Sequence, residues 1–449
     1  LKRRAATGER PANGDVRLRL IAASCALLGA SAARAQSGDA VAPPTPSIGT
    51  PAQSDEWQID SALAYYHENG RIRAIEPVVD LAKNLANGQV IGLNLSFDSL
   101  SGSSPNGALP SRKAQTFASP SGSSLTDPKK TYTTAPGQLP VDPNYKDDRV
   151  AAGGSWQIPI TRVTQTTLGG KLSYEHDFFS VSGNAAIAHD FNDKNTTLNF
   201  GLNEEYDSIR PIGGTPIAGS DYSLFEKNGG DKTKNGISGL LGVTQVMTRS
   251  WLSIVNIAAD RFTGYLNDPY KIISIVDGAG DTMGYQYESR PDHRTRKSAY
   301  LENRVGWDRG SAALSLRYMS DDWHIHSETA QLQGRLWFAE QDRYVEPTVR
   351  WYKQTAAYFY TPWIPAGEQS ATGYASSDSR LGEFHALTIG LKYGEKLAGQ
   401  HPGINGEFSA RIEYYQQISD GRFDAPGSLQ GLDLVPKLKA VLVQIGWRF

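Results

Sequence analysis

The stretch with the densest chemistry is Asp321-Asp-Trp-His-Ile-His326. Two imidazoles at alternate positions of a strand share a face, so His324 and His326 could ligate a divalent metal. Asp322 beside His324 could orient a general base in a hydrolytic site. Neither chemistry finds a further partner at a matching spacing, and a solvated polar turn is the more economical reading. A second group, Arg290, His293, Arg294, Arg296 and Lys297, could bind phosphate or screen anions; a solvated charge run accounts for it equally simply. No phosphate loop, zinc spacing, haem attachment site or nucleophile elbow occurs, so no cofactor is implied and no enzyme is expected.

A third set is spread along the chain in a regular pattern. Asn94, Asp98, Lys171, Glu175, Asn199, Asn203, Gln331 and the charged residues Glu302, Arg304, Arg317, Arg335, Glu346, Arg350, Arg411, Glu413 and Arg448 alternate with apolar neighbours. Charges at membrane depth must face water or one another. Two readings stay open: the set lines an aqueous path, or it cross-pairs into ladders that close the interior.

Short two-faced strands are the elements that would hold such a set. In Ile91–Asp98, Ile91, Leu93, Leu95 and Phe97 alternate with Gly92, Asn94, Ser96 and Asp98. The last twelve residues do the same: Val441, Val443, Ile445, Trp447 and Phe449 fall on one side, Ala440, Leu442, Gln444, Gly446 and Arg448 on the other. Segments of ~10 residues with this period recur from Trp57 onward and suggest lipid outside and water inside. Long stretches rich in Ser, Pro, Gly and Asn, at about 101–147, 208–235, 263–296, 361–380 and 419–436, all fall between the same alternate strands. The reading is therefore all-β: a transmembrane up-and-down antiparallel β-barrel over 56–449. It has about sixteen strands, with fourteen to eighteen accommodated, long extracellular loops and short periplasmic turns. Tyr66, Trp57, Trp156, Trp251, Trp307, Trp337 and Trp447, near strand ends, suit interfacial girdles.

Composition agrees. The chain has 449 residues, 45 of them Gly, with one Cys and a formal charge of −2 that gives no general case for nucleic acid. Mean hydropathy is −0.43 and no apolar run reaches the length of a membrane helix. Residues 1–35 read as a secretory signal: Arg17 and Arg19, an apolar Leu20–Ala30, and Ala33-Arg-Ala35 before the cleavage point. Residues 1–15 are polar, and translation is expected to start near Val16. Cys25 falls inside the apolar run, where packing accounts for it better than lipidation. Residues 36–55 are Pro/Ser/Ala-rich and read as a disordered periplasmic leader.

Several stretches carry a resemblance. Glu76-Pro-Val-Val-Asp80, Leu100-Ser-Gly-Ser-Ser-Pro-Asn-Gly-Ala108, Asp190-Phe-Asn-Asp-Lys-Asn-Thr-Thr197, Gly264-Tyr-Leu-Asn-Asp-Pro-Tyr-Lys271 and Glu288-Ser-Arg-Pro-Asp292 together resemble an uncharacterised family of Gram-negative outer-membrane barrels, a domain of unknown function. The resemblance implies the barrel, the bacterial outer membrane, and genomic neighbours in periplasmic flavin or redox processes. It supplies no catalytic residues. Asp322 and His324 also resemble, in residue type alone, the Asp/His pair of the omptin barrel proteases, which are smaller ten-stranded barrels. Val443, Ile445, Trp447 and Phe449 resemble the terminal signal read by the barrel-assembly machinery. The expected function is a porin-like conduit for small hydrophilic solutes. The alternatives are a closed barrel scaffolding a periplasmic or redox partner protein, and a rim hydrolase. Membrane lipid and lipopolysaccharide are the expected surroundings.

Overall fold

The computed structural model describes residues 57–85, 87–120, 130–224, 227, 229–370, 372–397, 406–435 and 437–449. The sequence-level reading of 1–55 as signal and leader lies outside these residues.

The strands are β1 (Trp57–Glu68), β2 (Ile72–Asn84), β3 (Val90–Pro105), β4 (Gln115–Ala118), β5 (Thr131–Thr134), β6 (Val141–Pro159), β7 (Thr164–Tyr174), β8 (Phe178–Phe191), β9 (Thr196–Ile209), β10 (Lys232–Val246), β11 (Trp251–Gly264), β12 (Ile272–Val276), β13 (Thr282–Tyr287), β14 (His293–Trp307), β15 (Gly310–Asp321), β16 (His326–Phe338), β17 (Arg343–Gln354), β18 (Trp363–Pro365), β19 (Phe384–Lys396), β20 (Glu407–Ser419) and β21 (Leu438–Arg448). Sixteen of them close into one antiparallel barrel; β4, β5, β12, β13 and β18 belong to its loops. β1 pairs with β21, so both strand ends meet on one rim, here the terminal rim.

Alternation decides the wall. Outward positions such as Leu95, Leu172, Phe200, Ile257, Leu316, Leu332, Ile389 and Ile412 stay 45–55% exposed. A soluble monomer rarely leaves so wide an apolar belt uncovered; a bilayer covers it. Trp57, Trp156, Trp251, Trp307 and Trp447 all point outward near the terminal rim. Tyr65, Tyr174, Tyr206 and Tyr318 ring the opposite edge. Two of the expected girdle residues are corrected. Tyr66 and Trp337 sit on the inward phase of their strands: the Tyr66 hydroxyl donates to Glu68 at 2.9 Å, and Trp337 packs on Tyr344 with ring centroids 4.8 Å apart.

Turn chemistry sets the register. Asn87 and Gly88 adopt left-handed φ of 78° and 76° in the short β2–β3 connection, where Gly88 N donates to Leu85 O at 3.2 Å. On the inner wall Gly394 lies directly under the Tyr344 ring, where any Cβ would overlap the aromatic carbons. Tyr344 is 1% exposed and its hydroxyl donates to Glu407 at 2.5 Å. Gly394→Val is expected to expel the ring and cost about 1–3 kcal/mol. The check is the urea midpoint of the refolded barrel, followed by heat-modifiable electrophoretic migration; an unchanged midpoint contradicts this packing.

Candidate functional site

The inner wall is the first part of the site. Period-two alternation turns Glu302, Arg304, Arg317, Arg335, Glu346, Arg350, Arg411, Glu413 and Arg448 inward, along with Asn94, Asp98, Lys171, Glu175, Asn199, Asn203 and Gln331. Many of these charges pair across or along strands. Arg335 meets Glu346 at 2.5 Å, Arg411 meets Glu413 at 2.9 Å and Arg304 meets Glu302 at 2.8 Å. Arg149 meets Asp98 at 2.5 Å, and Arg448 meets Asp60 at 2.6 Å across the closing seam. Arg317 and Arg350 have no carboxylate in ion-pair range among the described residues. Arg317 is exposed although it points inward, so neighbouring side chains do not fill that part of the lumen.

The second part is a cap over the other rim, built from the long loops. β12 pairs with β13 in the β11–β14 loop, and with β18 from the β17–β19 loop. The β3–β6 loop comes from the far side of the mouth to join them. Its Asn106 carbonyl accepts from Ile272 N at 3.0 Å and its Leu109 N donates to Ser274 Oγ at 2.9 Å. The β20–β21 loop adds Ser428 N, which donates to Ala279 O at 2.9 Å. Apolar side chains then make this a small core: Ala108, Phe117, Tyr132, Ile272 and Tyr287 form one cluster, and Leu109, Val276 and Leu429 another. Loops of this polarity fold only when neighbours supply the missing burial, and here each loop supplies it to the next.

A buried charge network fastens the cap. Arg290 Nε meets Glu288 Oε1 at 2.7 Å and its Nη2 meets Asp378 Oδ2 at 3.0 Å; the three side chains are 8%, 1% and 3% exposed. Arg380 holds Asp378 at 2.5 Å and reaches Asp268 at 3.3 Å. Ser376 Oγ donates to Glu288 at 2.5 Å. Burial pushes the Glu288 carboxyl up. Burial acts the same way on Asp378, but Arg380, Lys271 and Arg290 outweigh it and hold that carboxyl well below its ordinary range. Asp378 and Arg380 escaped the sequence reading because an Asp-Ser-Arg triplet in a loop looks like any solvated turn.

Lys227 is a different kind of cap residue. Its Nζ donates to Pro269 O at 3.3 Å and lies 4.4 Å from the Tyr270 ring centre. Burial pushes it down to about 8, against the pull of Asp268 and Asp177. A lysine with a lowered folded pKa costs most below pH 8, and the cost fades as pH rises toward 10.5. Lys227→Met is therefore expected to stabilise the cap by up to about 3 kcal/mol near pH 7. The advantage should shrink between pH 8 and 10.5. Hydrogen exchange of the cap amides at both ends of that window checks it; a pH-independent difference contradicts it.

Two expectations are corrected here. His324 lies in the turn before β16 with φ of 65°, so it shares no strand face with His326. Its ring packs on Tyr358, His326 Nδ1 sits 3.2 Å from the Tyr318 hydroxyl, and Asp322 accepts from Thr295 N at 2.9 Å. Among the described residues no group of three or more His, Cys, Asp or Glu side chains could hold a metal. The basic run is also split. Arg290 belongs to the cap network, Arg294 pairs with Asp321 at 2.6 Å and Arg296 with Asp260 at 3.3 Å, leaving His293 and Lys297 exposed. Alternation along β14 buries every second member, which a charge run read as a loop does not reveal. Val443, Trp447 and Phe449 point outward and exposed, with Ile445 on the same phase, and Phe449 bonds through its backbone to Ile59 at 2.9 and 3.1 Å.

A family model described as "Protein of unknown function (DUF3570)" matches residues 17–449. No curated protein matches. Among solved structures, a bacterial polysaccharide outer membrane secretin is similar with TM-score 0.44 and 10% identity, over 88% of this chain and 99% of that one. OccK2 (OpdF) of Pseudomonas aeruginosa in complex with glucuronate gives 0.40 and 10%, over 88% and 97%. The outer membrane protein opdK of Pseudomonas aeruginosa gives 0.40 and 8%, over 88% and 99%.

Proposed function

The chain belongs to this family of unknown function, and from that premise we propose that it is an outer-membrane barrel conducting small hydrophilic solutes beneath a folded cap. The observation that carries the reading is the contrast between the two faces of one wall. Outside is a continuous apolar belt between Trp and Tyr rings. Inside is a polar surface where Arg317 stays accessible to water. Barrels of about sixteen strands are wide enough to hold an aqueous channel. In this reading the terminal rim faces the periplasm and the cap faces outward. Lipid and lipopolysaccharide surround the belt, and the assembly machinery reads the strand ending in Trp447 and Phe449.

Proteoliposomes exposed to a graded series of uncharged sugars test the proposal. Swelling is expected, falling steeply as sugar mass rises. Vesicles with inserted barrel that never swell would contradict it. They would favour the second reading, a closed scaffold for a periplasmic or redox partner, which draws on the loops meeting across the mouth.

A further inference from the structure

The inward charges are not mixed around the wall; they separate into two arcs. From β1 to β11 acids dominate, with Asp60, Glu76, Asp80, Glu175, Glu205 and Asp260 facing in against the minority Arg149, Lys171 and Lys234. From β14 to β21 bases dominate, with Arg317, Arg335, Arg350, Lys392, Arg411 and Arg448 facing in against Glu302, Glu346, Glu407 and Glu413. Ion pairs mark both boundaries. Arg448 meets Asp60 at 2.6 Å where β21 joins β1, and Arg296 meets Asp260 at 3.3 Å where β14 joins β11. Away from these seams each arc keeps charged side chains outside ion-pair range of any opposite charge among the described residues: Glu76, Asp80 and Glu175 on one side, Arg317, Arg350 and Lys392 on the other.

Opposed excess charges on a low-dielectric wall set up a field across the lumen, and such walls focus it. A net-neutral solute gains from that field only if it carries a large dipole. We propose that the lumen favours zwitterionic solutes, free amino acids and short peptides. Their ammonium end turns to the β2–β7 side and their carboxylate to the β15–β19 side. This rests on the conduit reading and adds the solute class to it.

The test compares two solutes of similar mass, ε-aminocaproate and the uncharged xylitol, in proteoliposome swelling. Both are net neutral, so no counter-ion complicates the rates. The wild type is expected to admit ε-aminocaproate several-fold faster than xylitol. Arg317→Ser combined with Arg350→Ser should bring the ratio toward one. Asp80→Asn, on the opposite arc, should lower the ratio in the same direction. Equal rates in the wild type, or a ratio indifferent to all three substitutions, would overturn the inference while leaving the conduit in place. Swelling with neither solute would overturn the conduit reading and this inference with it.

Discussion

Replacing Arg290 with methionine is expected to cost the loop cap about 3–5 kcal/mol while the sixteen-strand wall stays closed. The guanidinium sits between Glu288 and Asp378 with almost no solvent contact. Removing it leaves two buried carboxylates facing each other, and Arg380 can answer for only one of them. The β12–β13 hairpin is tied through this point to the β17–β19 loop, so that side of the roof should open. Amide exchange should accelerate strongly at Ile273 and Ser274, both fully buried, and remain slow at Leu314 in the wall. Adding Glu288→Gln should recover part of the loss by removing one orphaned charge. If exchange in β12 does not respond to Arg290→Met, the network is not what fastens the cap.

The second large effect is placed in the wall itself. Asp207 is fully buried and holds Lys234 at 2.6 Å, with Glu205 the next acid at 3.6 Å. The rings of Phe262 and Phe178 enclose the ammonium at 5.5 and 6.0 Å. Asp207→Ala leaves that cation only Glu205 at 3.6 Å, and truncating the closer partner of a buried pair is expected to cost up to about 3–5 kcal/mol. The barrel should unfold at a clearly lower urea concentration. Pairing it with Lys234→Met should restore part of the midpoint, because the under-matched buried cation is then gone. A single substitution as harmless as an outward Ser change would show that the pair contributes little.

The wall was legible because each strand carries two contrasting faces. Leu198, Phe200 and Leu202 against Asn199 and Asn203 declare the phase of β9 without reference to any other strand. Even the closing strand shows its inward Arg448. Strand ends were less clear. β3 runs on to Pro105 and β6 begins at Val141, both inside a stretch read as loop, because Ser and Gly fill both faces at the end of β3, and Asp, Asn and Lys around Pro143 fill both faces at the start of β6. The cap was legible only in part: the Pro-fixed turns at Ser104-Pro-Asn-Gly107 and Asp268-Pro-Tyr270 point to loops folded over the mouth, but nothing in the sequence marks the small sheet they build. Its strands are three to six residues long, too short for periodicity to register. Its stability comes from contacts between loops distant in sequence. Two of the quoted motifs, Gly264–Lys271 and Glu288–Asp292, supply Asp268, Glu288 and Arg290 to one network. Their acids and bases looked solvated only because the partners lie about a hundred residues on, at Asp378 and Arg380.

A conduit of this kind holds water from rim to rim, and single-barrel current measures that continuity. Cys25 is the only cysteine of the chain, so a thiol placed at Ser315, on the inward phase of β15, would have little background in the barrel. Ser315→Cys protein in a planar bilayer should show stepwise ohmic conductance, and a membrane-impermeant charged thiol reagent should cut it sharply. The same reagent on Leu316→Cys, one residue along and facing lipid, should leave the current unchanged. Inserted barrels that stay silent at every voltage and salt concentration would rule out an open lumen.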